Sequence, residues 1–280
     1  MGYLLRYNDV DLDFGSNIYV VNWDGAGFED IISTVPLIGD GSEVIGEHHA
    51  ERQIIINIRV FNERQKQRIY EIFTGRENGT LTYVPETGTA DARKIDCQVS
   101  TVKPLRSAFP TDMQIVLLCS YPFWRAVNTS TELISGSIGM LEFPLELPAE
   151  PTFEFGKIKS GNSVIFDYNG TIATGFKAYI YSVDPISTLR IFNFYTKEFI
   201  EISGNYPANS DFLVSSETGN RRIYRKLSTE AEYEDITADV VWGSTFFQIK
   251  PGQNRLHVII DSEIEKMNAS VDFSMKFGGV

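Results

Sequence analysis

The sequence predicts a mostly β protein of two domains: an N-terminal sheet or split barrel with one short helix over residues 1–130, and a C-terminal β-sandwich over 131–280. Three observations carry this. Aromatic residues make up 12% of the 280 residues, led by 19 Phe and 13 Tyr, which suit half-buried pleated surfaces. Short apolar runs recur through the chain, separated by Gly, Pro, Asn and Asp. A helical period of apolar residues is evident in one place only, between 63 and 74. At 42% hydrophobic, a chain of this length can bury a sizeable core.

Along the first half, residues 3–7 and 18–21 read as strands joined by turn chemistry at Asn8-Asp9, with a further turn at Asn22-Trp23-Asp24-Gly25. Residues 38–51 contain Gly39, Gly41 and Gly46 and few sustained apolar runs, so they read as a long loop or extended arm, and loops of that length are often functional or ordered by a partner. The run QIIINIRVF at 53–61 is β-branched and should be a central strand. Asn62 then offers an N-cap oxygen, Glu63 places negative charge in the first turn, and Ile69, Ile72 and Phe73 share one face. Gly75 is expected to close that helix in the left-handed conformation. Strands follow at 80–84, 93–102 and 112–119, and the domain boundary is placed in 128–139, rich in Ser, Thr and Gly without a strand period.

The second half has runs at sandwich spacing: 152–155, 163–168, 176–183, 189–195, 199–202, 212–215, 222–225, 245–249, 255–261 and 270–277. Asn169-Gly170, Ser203-Gly204, Thr218-Gly219-Asn220 and Pro251-Gly252 supply turns between them, and no helix is expected here.

Charge and motif content narrow the function. A formal charge of −12 disfavours general nucleic-acid binding, because phosphate affinity comes from Lys and Arg that displace counterions. Cys97 and Cys119, the only cysteines, are too few to staple the fold and lack a metal spacing, so they are read as reduced and packed. The start lacks a secretory signal, and no run approaches the roughly 20 apolar residues of a membrane span, so a product made in the cytosol without a membrane anchor is expected. His48 and His49 with Glu47 and Glu51 form the densest set of potential metal ligands, but adjacent side chains on an extended segment point apart. They are read as a solvated or partner-contacting loop. Glu263 and Glu265 are read as a solvated face instead of a glycosidase pair, and Ser215-Ser216 as turn chemistry. Tyr121, Phe123 and Trp124 are read as packing, since the surrounding charge is wrong for stacking single-stranded nucleic acid. Neither a nucleophile elbow, a Walker loop nor a HExxH zinc motif occurs, so no enzyme, cofactor or metal is expected.

The first half contains, in order, the arginine-led strand 52–61, the helix 63–74, Leu81-Thr82-Tyr83, and the aromatic-proline exit CSYPFWR at 119–125. The second half contains DFLVSSETGNRRIY at 211–224, STFFQIKPGQN at 244–254, and the closing Phe277-Gly278-Gly279-Val280. In this order these stretches resemble the distal tail protein family of siphophages. The resemblance implies a virion tail component of a phage or prophage, made in the bacterial host cytoplasm. Its N-terminal domain would form a hexameric ring around the DNA channel, and its C-terminal sandwich would be galectin-like. Expected partners are further copies of the chain, the tail tube protein, the tail tip or tail-associated protein, and receptor-binding or baseplate proteins. The arm, with Ile38, Gly39, Gly41, Val44, Ile45, Gly46, His48, His49 and Arg52, is the candidate contact to a neighbouring subunit or tail protein. The competing reading is a carbohydrate-binding module using Trp242, Asn254, Arg255 and His257. Galectins follow Trp-Gly with an acidic residue, whereas Ser244 stands here, so Trp242 is read as core or edge packing and the lectin is disfavoured.

Overall fold

The alternation of buried and exposed positions along most segments produces the predicted β-rich architecture, with one α-helix among the described residues. The computed structural model describes residues 3–280 except 9, 13–18, 28, 39, 75–77, 86–90, 140–155, 160 and 264–265. Ile18, Gly39, Gly75, Glu265 and the strand expected at 152–155 therefore lie outside the described residues. The chain divides into two compact units, Met1–Val127 with Lys276–Val280, and Asn128–Met275. The last five residues, which the sequence reading kept with the sandwich, thus belong to the first unit.

The first unit is built on a sheet of β1 (Tyr3–Tyr7), β2 (Val10–Leu12), β3 (Tyr19–Asp24), β6 (Arg52–Val60), β7 (Gly79–Pro85), β8 (Arg93–Pro104) and β9 (Thr111–Cys119), in the order β2-β1-β7-β8-β9-β6-β3. Between β3 and β6 the chain forms a separate two-stranded ladder, β4 (Asp30–Pro36) with β5 (Ser42–His49). Strand β6 alternates strictly, burying Ile54, Ile56, Ile58 and Val60 on one face. On its other face Arg59 makes a bidentate pair with Asp112 directly across on β9, at 2.7 and 3.0 Å, which holds that carboxyl below its ordinary range. Helix α1 (Glu63–Phe73) starts where expected: the Asn62 side chain accepts from the Gln65 N–H at 3.0 Å. Its buried face, Ile69 and Phe73, covers the sheet, with Phe73 4.7 Å from the Tyr7 ring.

The unit is closed by β10 (Trp124–Ala126), which pairs with β8 on one side and, on the other, with a strand formed by Lys276–Phe277. Trp124 is fully buried, edge-on to Trp23 at 6.3 Å. Arg52, 5% exposed, donates to the carbonyls of Gly25, Ala26 and Gly278, and its guanidinium lies 6.0 Å from the Trp124 ring centroid. Arg93 donates to the Gly279 carbonyl and stacks 3.9 Å over Phe277. A Cβ on Gly279 would stand 2.9 Å from the Ala26 carbonyl oxygen, so this approach requires glycine. Cys97 and Cys119 are both free and buried, and contact with Cys119 together with burial pushes the Cys97 thiol well up.

The second unit packs two sheets. One runs β12 (Gly156–Lys159), β11 (Ser130–Gly139), β21 (Met267–Phe273), β14 (Lys177–Ser182), β17 (Ser210–Glu217), β18 (Asn220–Leu227) and β19 (Glu234–Asp235). The other runs β13 (Ser163–Tyr168), β20 (Gly252–Ile260), β15 (Ile186–Asn193) and β16 (Phe199–Tyr206), all antiparallel. Their inner faces meet in one core, where Phe166 stacks on Phe273 at 4.9 Å and Tyr206 meets Phe212 at 5.2 Å. The Lys276–Phe277 strand, β22 in chain order, then leaves this unit.

Five expectations are corrected. Asn22, Trp23 and Asp24, read as a turn, lie in β3, where they pair with Asn57, Ile56 and Ile55 of β6. Residues 128–139 contain strand β11, whose Ser- and Thr-rich sequence is held by ladder pairing to β21. Residues 245–249 make no named strand: Ile249 forms one isolated bridge to Thr174 while Thr245 donates to Phe199 alongside β16. Ser203-Gly204 lies inside β16 rather than at a turn, because the Tyr206 ring passes over Gly204 and the register shifts there. A 3₁₀ turn, Thr237–Asp239, is present in the half where no helix was expected.

Two outcomes test this description. Replacing Arg52 with Leu leaves the buried Gly278 carbonyl and the part-buried carbonyls of Gly25 and Ala26 without their donor, so urea unfolding should show a loss of about 3 kcal/mol, with faster amide exchange at 277–280; unchanged exchange there would refute the anchoring role. Asp235 is held at about 2, below its ordinary 3.8, by Thr237 and Arg222. Its folded pKa lies below the unfolded one, so its stabilisation is present above about 4 and lost as pH falls toward 2. Asp235→Asn should therefore lower the melting temperature at pH 7, with the gap to wild type closing near pH 2.

Candidate assembly surface

Residues 30–49 are a β-hairpin, where the sequence reading expected a loop or arm over 38–51. The two strands pair from Asp30↔His49 to Pro36↔Ser42, with Gly41 at φ +96° in the connection. Every residue of β4 is exposed, and consecutive residues of a strand point to opposite faces, so both faces of the hairpin meet solvent. That removes the inside/outside period by which a strand is recognised in sequence.

The exposed positions are largely apolar. Ile32 is 57% exposed, Ile45 64% and Ile38 fully so, with Ile31, Val35, Leu37 and Val44 also exposed. Exposed apolar residues on both faces of a two-stranded ribbon make it a candidate interaction surface, since such a ribbon gains little stability alone. Its base is held firmly. Ala50 donates to Glu29, His49 Nδ1 bonds the Asp30 carboxylate, and the His49 ring meets Phe123 edge-on at 4.7 Å. The adjoining sheet also ends on two strands, β2 and β3, each paired on one side only among the described residues.

Of the residues singled out in the arm, Ile38, Gly41, Val44, Ile45, Gly46 and His49 lie on the hairpin or its connection. His48 lies on β5, and nothing is described of its side chain. Arg52 is corrected: it is buried beneath the hairpin's base and bonded to backbone carbonyls, which makes it an anchor and not a contact residue. Sequence reasoning missed Ile31, Ile32 and Val35, because the segment before 38 had no alternation to expose them. Tyr121, Phe123 and Trp124 pack within the first unit, with the Lys276 ammonium 2.8 Å from the Tyr121 hydroxyl.

The four lectin candidates do not converge. The Asn254 amide is buried and donates to the carbonyls of Lys250 and Gly252, so it clamps the turn into β20. Arg255 and His257 lie on the outer face of the four-stranded sheet beside Phe194, and burial with the neighbouring Arg255 pushes the His257 imidazole down. Trp242 is 98% exposed, against the expectation of core or edge packing, because its turn runs outside the last strand of that sheet. Among the described residues no cluster of three or more His, Cys, Asp or Glu could hold a metal ion, and no helix is long and apolar enough to cross a membrane.

No family model and no curated protein matches the sequence. Solved structures do. The chain is similar to SPP1 Dit (gp 19.1), described as a paradigm of the hub adsorption apparatus in phages infecting Gram-positive hosts, with TM-score 0.68 and 12% identity over 99% of this chain and 100% of that one. It is similar also to a chain of the phage P2 baseplate in its activated conformation with Ca, with TM-score 0.54 and 12% identity over the full length of both. From end to end, the chain has the fold of a phage tail hub protein.

Proposed function

We propose that this protein is a structural component of a phage tail, a distal tail hub whose first unit assembles into a ring. The observation that carries the reading is the fold match to SPP1 Dit across both units and nearly every residue of each chain. A match confined to one sandwich would have meant little, because sandwiches serve many functions. The surface features described above fit the same role. Two half-paired sheet edges and an apolar hairpin on one unit provide different donor and acceptor surfaces, the arrangement from which heterologous contacts close into rings.

In this reading the hairpin, through Ile32, Ile38, Val44 and Ile45, packs on the neighbouring subunit or on an adjacent tail protein. Six copies surround the DNA channel, and the ring joins the tail tube to the tail tip, baseplate or receptor-binding proteins. The second unit is a galectin-like sandwich. A net charge of −12 suits a conduit through which DNA passes without sticking. The role calls for no catalytic chemistry.

Negative-stain electron microscopy at high protein concentration should show closed sixfold rings, either alone or once tail-tube and tip proteins are added. Ile32→Asp with Ile45→Asp should weaken assembly at least tenfold while leaving the far-UV circular dichroism of the monomer unchanged. Single particles under all these conditions, or rings that persist in the double variant, would reject the ring or the hairpin's part in it respectively.

A further inference from the structure

The outer face of the seven-stranded sheet holds a groove of 370 Å³ whose lining includes no residue of the hairpin and none of those considered above for sugar binding. Its shape follows from the ladder. Between Leu133 and Ser135 the β11–β21 register shifts, which turns Ile134 into the core and leaves a step in the sheet surface. The groove opens over this step, floored by the small residues Ser135 and Ala269.

Strand β14 places Tyr179 and Tyr181 on the outer face, about 7 Å apart along the strand, while Ala178, Ile180 and Ser182 point inward. Each ring has hydrogen-bonding or apolar neighbours directly across the ladders. Tyr181 stands between Asn268 on β21 and Asp211 on β17, and Tyr179 between Ser270 and Leu213. The Tyr181 hydroxyl is tied to Asn209 Oδ1 at 2.8 Å, which fixes that ring. Among the described residues the side chains of Asp211, Asn268 and Ser270 and the Tyr179 hydroxyl make no hydrogen bond or ion pair, although burial, helped by the nearby Asp211 and Tyr179, pushes the Tyr233 phenol up. Lys226, opposite Asp211 on β18, is instead turned over the Tyr233 ring at 4.8 Å.

This lining selects a ligand class. No Lys or Arg borders the groove and a carboxylate does, so phosphates and other anions are disfavoured. The polar groups beside the rings disfavour an acyl chain, which would leave them desolvated and unpaired. A pyranose meets both demands: its C–H face lies on an aromatic ring, while its vicinal hydroxyls donate to a carboxylate and exchange hydrogen bonds with a carboxamide and a hydroxyl. We propose that the groove binds an uncharged saccharide, stacked on Tyr179 and Tyr181 and held by Asp211, Asn268 and Ser270.

The test uses the full chain and methyl glycosides of glucose, galactose, rhamnose and N-acetylglucosamine, with chitotriose, read by saturation-transfer NMR. At least one should bind saturably. Tyr179→Ala and Asp211→Asn should each weaken binding more than tenfold, and Tyr179→Phe should retain stacking and most of the affinity. Trp242→Ala and His257→Ala, which leave the groove intact, should have no effect, and the melting temperature of each variant establishes that it is folded. Binding that survives Tyr179→Ala, or disappears in Trp242→Ala, places the sugar elsewhere and overturns the proposal. So does a failure of every probe to bind. Because the readout is on the isolated chain, it is independent of whether rings form.

Discussion

A buried guanidinium that, among the described residues, has no carboxylate partner organises the first unit. Arg52 opens β6 and reaches three backbone carbonyls that arrive from two distant parts of the chain, Gly25 and Ala26 on one side and Gly278 on the other. Burial depresses its pKa from the ordinary arginine value, yet arginine is so basic that it stays charged. The cost of desolvating that charge is offset by carbonyl dipoles and the Trp124 face in place of a counter-ion. Such an arrangement tolerates little displacement, because carbonyl oxygens only compensate the charge at hydrogen-bonding distance.

Much of the unit depends on this point. The strand at 276–277 pairs with β10, and Arg93 grips Gly279 and Phe277 from β8, so residues from both ends of the chain finish one core. The same arginine fixes residues 25 and 26, from which the chain runs into the exposed hairpin. A hairpin with both faces in solvent needs a rigid root if it is to present a defined surface. The root is supplied by Arg52, by the His49 pair with Asp30 and by the ring contact with Phe123. Exposed apolar residues on such a ribbon are an aggregation hazard wherever nothing covers them.

The second unit solves a different problem. Its core is ordinary sandwich packing, with inward residues from both sheets in one cluster, so its outward residues are free to vary. On one outer face they form an aromatic and basic surface around Phe194, Arg255 and His257. On the other, a bulge beside two tyrosines makes a groove. Both surfaces follow from the two-residue period of the strand, which lets one sequence encode a core and an independent exterior.

The sequence by itself determined the β class, the helix with its Asn62 cap, and most strands whose one face is buried, because burial of one face writes a period of two or 3.6 into the residues. It also showed the order of segments that resembles tail proteins. Where burial left no period, only the tertiary structure decided. Residues 30–49 became a hairpin through pairing alone, residues 128–139 became a strand because β21 lay beside them, and Trp242 was left outside the sandwich because of the path of its turn. Arg52 reads as an ordinary strand-edge charge until the chain brings Gly278 back to it across 226 positions. Contacts of that range leave no local pattern, since the partner of a backbone carbonyl is chosen by where the chain goes and not by which side chain it carries.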